Sequence, residues 1–303
     1  MRALVVGGNG FIGSHLVDKL LKAGDVVRVL DRSLEKFRDP LPQIEYVTGD
    51  FSDPFILGES LSDIDVVYHL ASTTVPSTSN MDPVRDVQDN LVGAIHLIDQ
   101  MLKAKVSRIV FLSSGGTVYG TPEQIPISED HPLLPICSYG IVKSAIEQYL
   151  YMYRLLHQIS TIVLRPSNPY GPRQGHLGVQ GLIATFLNKI IKNEPLIVWG
   201  DGGIIRDYLY VEDLADLISC AGRSQVNGTF NAGSGTGYTI NDIIEIISQV
   251  AGMKPTVIYE KGRAFDVAEV VLDITRAKEH FHWIPETPIT RGIDRQFQWM
   301  KSK

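Results

Sequence analysis

Tyr139 and Lys143 stand four residues apart in the run Tyr139-Gly140-Ile141-Val142-Lys143. On a helix this spacing puts both side chains on one face. An ammonium beside a phenol favours the phenolate and draws a group that ordinarily titrates at about pH 10 toward neutrality. A tyrosine so tuned can take the proton of a sugar hydroxyl as hydride leaves its carbon, and can return it. Such a pair is common on solvated helix faces and means redox chemistry only beside a hydride carrier.

The chain offers a place for that carrier. Gly7-Gly8-Asn9-Gly10-Phe11-Ile12-Gly13 follows the apolar residues 3–6. Gly7 permits a tight turn, Gly10 lets the backbone approach a pyrophosphate, and Gly13 lets a helix pack on the strand. The pyrophosphate then lies against the helix N-terminus. Asp31 falls 18 residues after Gly13, close to the spacing of an acid that binds the adenosine ribose hydroxyls. Its charge repels a 2′-phosphate and favours NAD. Arg32 beside it can accommodate that phosphate, so NADP stays open on these residues alone.

The elements needed to hold these groups are legible around them. Strand-like pieces fall at residues 3–6, 26–30, 44–47, 66–70, 109–112 and 161–164. Phe11, Ile12, Leu16, Leu20 and Leu21 recur at helical spacing between the first two, and Gly24 closes that segment. Longer helical stretches are expected at 84–103 and 139–157. Strand and helix in alternation predict an α/β fold, a doubly wound parallel sheet of the Rossmann type. The turn-forming run Pro166-Ser167-Asn168-Pro169-Tyr170-Gly171-Pro172-Arg173 marks a boundary. It divides a dinucleotide-binding domain, 1–165, from a smaller α/β substrate-binding domain, 166–303, some segments of which can return to the first. The second part is poorer in strand signals and is expected to cap the carboxyl edge of the sheet.

Composition narrows the function further. A net charge of −6 with no basic tract argues against nucleic acid, and no apolar stretch is long enough to span a membrane. The strand pattern begins at once, without the longer apolar stretch of a secretory leader. Cys137 and Cys220 are the two cysteines, spaced for neither metal nor a disulfide framework, so a reducing cytoplasm is expected. His280-Phe281-His282 lacks an accompanying ligand set, and no metal site is expected.

Across nearly its whole length the chain resembles the extended short-chain dehydrogenase/reductases, and within them the nucleotide-sugar epimerases and dehydratases. The motifs come in the family's order: the glycine run, Gly49-Asp50-Phe51, His69-Leu70-Ala71, Asn90-x-x-Gly93, Ser113-Ser114-Gly115-Gly116-Thr117-Val118-Tyr119-Gly120, Tyr139/Lys143, Arg165-Pro166-Ser167-Asn168 and Arg206-Asp207-Tyr208. The resemblance implies NAD contacts from Gly7, Gly10, Phe11, Ile12, Gly13, Asp31, Arg32, Asp50, Phe51, Leu70, Ala71, Asn90, Ser113, Tyr139, Lys143 and Ser167. Asp50 and Phe51 would meet the adenine, and Lys143 the nicotinamide ribose. Arg206 and Arg263 would clamp the diphosphate of a UDP-sugar, a task that suits a planar fork of donors, with Asn168 hydrogen-bonding the same group. The long helices imply a two-fold homodimer.

The subfamily turns on residues 113–120. Dehydratases that resemble this chain carry Asp-Glu before Val-Tyr-Gly, and decarboxylating relatives a glutamate; here Gly116-Thr117 stands there, which argues against both. The 4-epimerases read Ser-Ser-Ser-Ala-Thr-Val-Tyr-Gly, and their third serine, which shares a proton between the substrate O4 and the tyrosine, is Gly115 in this chain. Thr117 is then the favoured source of a hydroxyl, with Ser114 the other. The expectation is 4-epimerisation of a UDP-hexose with retained NAD; the alternative is a 4-keto-sugar reductase using NAD(P)H. In Arg263-Ala264-Phe265-Asp266-Val267-Ala268-Glu269-Val270, Val270 matches a position where a tyrosine goes with plain hexoses and small residues admit 2-acetamido groups. N-acetylhexosamines are therefore expected beside glucose and galactose.

Overall fold

The computed structural model describes residues 1–175, 181–262 and 267–303. Its first half runs β1 (Arg2–Val6), α1 (Phe11–Lys22), β2 (Val26–Asp31), β3 (Ile44–Thr48), α2 (Pro54–Ser60) and β4 (Val66–His69). It continues with α3 (Pro83–Asp86), α4 (Gly93–Lys103), β5 (Arg108–Leu112), α5 (Ser138–His157) and β6 (Ser160–Pro166). Then follow β7 (Asn168–Tyr170), α6 (Leu182–Ile191), β8 (Leu196–Trp199), β9 (Ile205–Tyr210), α7 (Val211–Arg223), β10 (Gly228–Ala232) and β11 (Gly237–Thr239). The chain closes with α8 (Ile240–Ala251), β12 (Val257–Glu260), β13 (Glu269–Val270), α9 (Thr275–Phe281) and α10 (Ile289–Lys301).

A seven-stranded sheet in the order β10-β6-β5-β4-β1-β2-β3 forms the centre of the fold, and the pairings from β3 through β6 are all parallel. The strands are near-continuous apolar runs, as strands covered on both faces must be. Leu4, Val6, Leu30, Val67, Ile109, Phe111 and Val163 pack against Leu97, Ile98 and Met101 of α4 and Val142, Ile146 and Leu150 of α5. The strand order reverses at β1, so the loops after β1 and β4 diverge at their carboxyl ends and leave a crevice there. This is the doubly wound α/β architecture that the alternating pattern predicts.

The stretch 84–103 is not one helix. Pro83 opens α3 with Asp82 as its N-cap, and residues Val87–Val92 form a π-helical segment before α4 begins at Gly93. The widened turn has a use. Asp86 and Asn90 both turn to the Thr73–Thr74 loop, which the Asn90 amide engages through Thr73 N–H at 2.9 Å and Thr73 Oγ1 at 2.9 Å. A side chain at Gly93 would run into Phe51, 2.7 Å away. Apolar periodicity cannot register one extra residue in a turn.

The chain forms two compact units. One comprises Met1–Tyr119, Leu133–Arg165 and Ala215–Phe230; the other comprises Gly120–Pro132, Pro166–Leu214 and Asn231–Lys303. The second holds more strand than its sequence signals suggest. Here β9 pairs with β11, β13 and β7, and β12 with β8, but several strands are only two to four residues long. Its core is built from Ile183, Phe186 and Leu187 of α6, Ile243 and Ile247 of α8, and Ile293 and Phe297 of α10, around Tyr208 and Tyr210.

Candidate active site

The glycine loop fits a dinucleotide on steric grounds. Gly7 has φ +88°, and a Cβ there would meet the Ala71 backbone at 2.8 Å; a Cβ on Gly13 would stand 2.1 Å from Gly7 O. The loop, the start of α1 and the residues after β4 are therefore as close as backbone allows. Leu70 N–H donates to Val6 O at 2.9 Å and Gly10 N–H to Gly7 O at 3.2 Å, which fixes the turn. The loop opens on a cavity of about 400 Å³ whose walls include Gly7, Gly10, Asp31, Arg32, Phe51 and Ala71. Leu70 also lines it, and Phe11 and Ile12 begin α1 directly behind the loop.

The acid at the end of β2 does two jobs. Asp31 Oδ2 accepts from Asn9 N–H at 3.1 Å, and Oδ1 accepts from the backbone and hydroxyl of Ser33, each at 2.9 Å. It thus steadies the glycine loop while lining the cavity. Arg32 reaches across to Asp50, 3.7 Å away. Asp50 also accepts from Ser52 N–H at 2.8 Å, and Phe51 is 4 % exposed, packed on His69. Burial, with the Lys143 charge adding, holds the His69 imidazole neutral, its pKa lowered to about 3. Asn90, assigned by resemblance to the cofactor, spends its amide on Thr73, Thr74 and Asp86 instead. Thr73 lines the cavity, so Asn90 shapes the wall.

The pair expected to move the proton is carried by α5 and is not among the residues that line this cavity. Tyr139 and Lys143 lie in the first two turns of α5, and the Lys143 ammonium is 5.5 Å from the Tyr139 ring centre and 4.7 Å from that of Phe111. Lys143 Nζ donates to Leu112 O at 2.9 Å. Burial lowers Lys143 to about 8, opposed by the charges of Glu147 and Asp86. The Tyr139 phenol departs from the expected lowering. Burial pushes it well above its ordinary value, and Cys137 and Asp86 push the same way. Lys143 does not overcome that burial, and the resting phenol keeps its proton.

The start of α5 is pinned by two side-chain acceptors, a buried one in Asp86 and an exposed one in Asn80. Ser138 Oγ donates to Asp86 Oδ2 at 2.6 Å and Ser138 N–H to Asn80 Oδ1 at 2.8 Å. Thr74 Oγ1 and Asn90 complete the Asp86 carboxylate at 2.6 and 2.8 Å. Residues 113–120 pass next to this helix start. Thr117 Oγ1 is buried without a hydrogen-bond partner among the described residues, while Ser114 O accepts from Val118 N–H at 3.2 Å, closing the turn. Ser113 is buried, its hydroxyl given to Glu147 and its N–H to Leu164 O at 2.8 Å.

Asn168, Arg206 and Val270 belong to the second unit. Asn168 Nδ2 donates to Asp207 O at 2.9 Å, and Ser167 Oγ to Asp207 Oδ1 at 3.1 Å. Asp207 is fully buried and also accepts from Ser234, Gly235 and Leu272, so its partners are the core of the unit. Arg206 precedes it on β9 and therefore faces the other way, half-buried. Val270 on β13 is the parallel-register partner of Arg206, on the same side of the ladder. Arg263 lies outside the described residues.

Sequence reasoning missed Glu147 and Asp86. Glu147 follows Lys143 by four on the same helical face, a charged residue in an otherwise apolar stripe, and that was the available signal. Asp86 carried none.

A parallel sheet with a glycine turn at its switch point, a carboxylate at the end of β2 that lines the cavity and a Tyr-x-x-x-Lys helix define an NAD-binding enzyme of the short-chain dehydrogenase/reductase class. Residues 3–233 match the model of the NAD dependent epimerase/dehydratase family, and the chain belongs to that family, with NAD as its cofactor. It is 35 % identical to a UDP-glucose 4-epimerase of Mycolicibacterium smegmatis, over 100 % of this chain and 99 % of that one. Its structure is similar to the UDP-glucose 4-epimerase of Thermotoga maritima solved with UDP-glucose: TM-score 0.95, 33 % identity, covering 100 % and 99 % of the two chains. It is also similar to a UDP-N-acetylglucosamine 4-epimerase from Methanobrevibacter ruminantium in complex with UDP-N-acetylmuramic acid: TM-score 0.94, 28 % identity, covering 99 % and 98 %.

Proposed function

We propose that this chain interconverts UDP-hexoses epimeric at C4, through a transient 4-keto sugar, with NAD retained between turnovers. When bound, NAD supplies a hydride acceptor that is also the hydride donor for the return step. The chain's own groups handle the proton. Tyr139 takes it from the sugar 4-hydroxyl and gives it back, and the Lys143 ammonium stabilises the phenolate that forms in between. Because burial disfavours that phenolate at rest, it forms only as the proton and hydride leave together.

The observation that carries this reading is the unpartnered Thr117 hydroxyl next to the start of α5. A buried hydroxyl that no protein group engages is one that a substrate oxygen or a water can complete. Thr117 thus replaces the serine missing at Gly115 as the proton bridge between O4 and Tyr139, with Ser114 the alternative source. Asn168, Arg206 and Arg263 hold the diphosphate, leaving the hexose free to turn. Val270 leaves room for a 2-acetamido group, and the relatives similar to this chain include proteins named for both plain and N-acetylated sugars.

A second reading is a 4-keto-sugar reductase, favoured by Gly115 itself and by Arg32 beside the ribose-binding acid. One experiment separates the two. Purified protein is given UDP-galactose or UDP-N-acetylgalactosamine without added cofactor, and the anomeric proton is followed by NMR. The gluco epimer is expected; no conversion, with consumption of a 4-keto sugar once NADPH is supplied, would establish the reductase.

The working form is a homodimer in the cytoplasm. Ile141, Tyr151, Leu155 and Leu156 of α5 and Val84 of α3 are exposed apolar residues that a second copy covers, and light scattering of the eluted protein tests this. Among the described residues no helix is long and apolar enough to cross a membrane.

A further inference from the structure

One turn beyond Lys143, α5 carries a buried carboxylate with a full set of partners. Glu147 Oε2 accepts from Arg165 Nη2 at 2.5 Å and Oε1 from Arg165 Nε at 3.1 Å, a two-pronged ion pair whose side chains are 4 % and 5 % exposed. Glu147 Oε1 also accepts from Ser113 Oγ. Arg165 Nη1 donates to the Tyr119 hydroxyl at 2.9 Å. Four segments meet here: α5, the end of β6, the end of β5 and the close of the 113–120 loop. Three of them carry groups that the proposed reaction needs: Lys143 on α5, Leu112 O on β5, and Ser114 and Thr117 in the loop.

Stability alone does not account for such a pair. Desolvating two charges costs about what their attraction returns, and apolar replacements of similar volume are often neutral. What an ion pair with directed hydrogen bonds supplies, and packing does not, is a fixed geometry and a fixed placement of its two opposite charges. We propose that Glu147, paired with Arg165, is a positioning residue for the Tyr139–Lys143 chemistry: it locks the register of α5 against the 113–120 loop and sets a carboxylate one helical turn from the Lys143 ammonium.

The groups around Lys143 support the electrostatic part. Tyr139 and Glu147 flank it on α5, Asp86 acts on it from α3, and His69 faces it from β4, neutral. The Leu112 carbonyl and the Phe111 ring approach from β5. Burial alone works against the ammonium, and Glu147 is the larger of the two charges that oppose it.

The test compares the full-length NAD-loaded enzyme with Glu147→Gln and with the apolar pair Glu147→Leu/Arg165→Met. The sugar-turnover readout rests on the epimerase reading. A second readout does not: the pH titration of the Lys143 Cε resonance in 13C-lysine-labelled protein, assigned by its loss in Lys143→Met. For Glu147→Gln, kcat for UDP-galactose is expected to fall about tenfold or more with KM changed less than about threefold. The Lys143 titration midpoint should fall by about one pH unit. The apolar pair is expected to recover the wild-type melting temperature but neither kcat nor the titration midpoint. Wild-type kcat and midpoint in the apolar pair would overturn the proposal, leaving Glu147–Arg165 a fold element only. That variant decides alone if Glu147→Gln does not fold. A wild-type enzyme inert toward every UDP-hexose would refute the epimerase reading, while the Lys143 titration would still judge the pair.

Discussion

Gly140 and Thr117 touch backbone to backbone: a Cβ on Gly140 would stand 2.8 Å from the Thr117 carbonyl oxygen and 2.8 Å from Pro135 Cβ. The residue after Tyr139 is thus the surface on which the 113–120 loop rests. Neither the Thr117 carbonyl nor the Pro135 ring can yield cheaply. Gly140→Ala is expected to cost about 1–3 kcal/mol of stability, read as a lower melting temperature. Because helix and loop must separate, kcat should fall by about 10²-fold. A variant that loses stability but keeps its turnover would show that Tyr139 and Thr117 need no mutual registration.

The hydroxyl of Thr117 is the sharpest single-residue test. Thr117→Val keeps the shape and removes the oxygen, which costs the fold nothing because it makes no hydrogen bond there. A loss of about 10²–10⁴-fold in kcat is expected. Adding Gly115→Ser to the same variant should restore a substantial part. If Thr117→Val turns over like wild type, the proton bridge is elsewhere, and Ser114→Ala is the next variant to assay.

Lys143 links function to pH with a definite sign. Its folded-state value, about 8, lies below the ordinary 10.5. Below pH 8 the folded protein therefore bears the cost of a buried ammonium, and between about pH 8 and 10.5 it is relieved, because the unfolded chain then binds the extra proton. Activity should run the opposite way and fall above about pH 8 as the charge beside Tyr139 is lost. Lys143→Met should raise stability at neutral pH by about 1–3 kcal/mol while abolishing turnover. Denaturant titrations at pH 7 and 9.5 check it: the advantage of the variant should shrink at the higher pH, and a constant difference would contradict the assignment.

Val270→Tyr addresses the sugar. The larger side chain beside Arg206 in register should lower kcat/KM for UDP-N-acetylgalactosamine relative to UDP-galactose by about tenfold or more. Parallel losses on both sugars would mean that the position shapes the fold of the second unit and does not read the 2-substituent.

What could be read from the chain was what is local. The glycine turn, Asp31 at the end of β2 and the Tyr139–Lys143 face each follow from spacing within one or two elements, and so do the six strands before residue 166. The π-helical segment at Val87–Val92 could not be read this way, because its cause is the Thr73–Thr74 loop that Asp86 and Asn90 serve. Glu147 showed only as a charge on the inner face of a helix, and its role could not be read because its partner, Arg165, is on another element. The phenol of Tyr139 was misjudged because spacing reports the neighbouring charge and not the burial that outweighs it. In the second unit, strands of two to four residues are too short for alternation to stand out.

The way the two units share the chain bears on how the protein is made. The first unit lacks its last piece until Phe230 has been synthesised, and the second draws on residues from Gly120 to Lys303. On the ribosome, neither can close early as an independent globule, so the nascent protein spends most of its synthesis with incomplete cores. Dissecting it into a cofactor half and a sugar half by cutting at residue 165 would strip Ala215–Phe230, most of α7 and the start of β10, from the first and the segment 120–132 from the second. A donor fragment for domain-exchange engineering would have to carry both excursions.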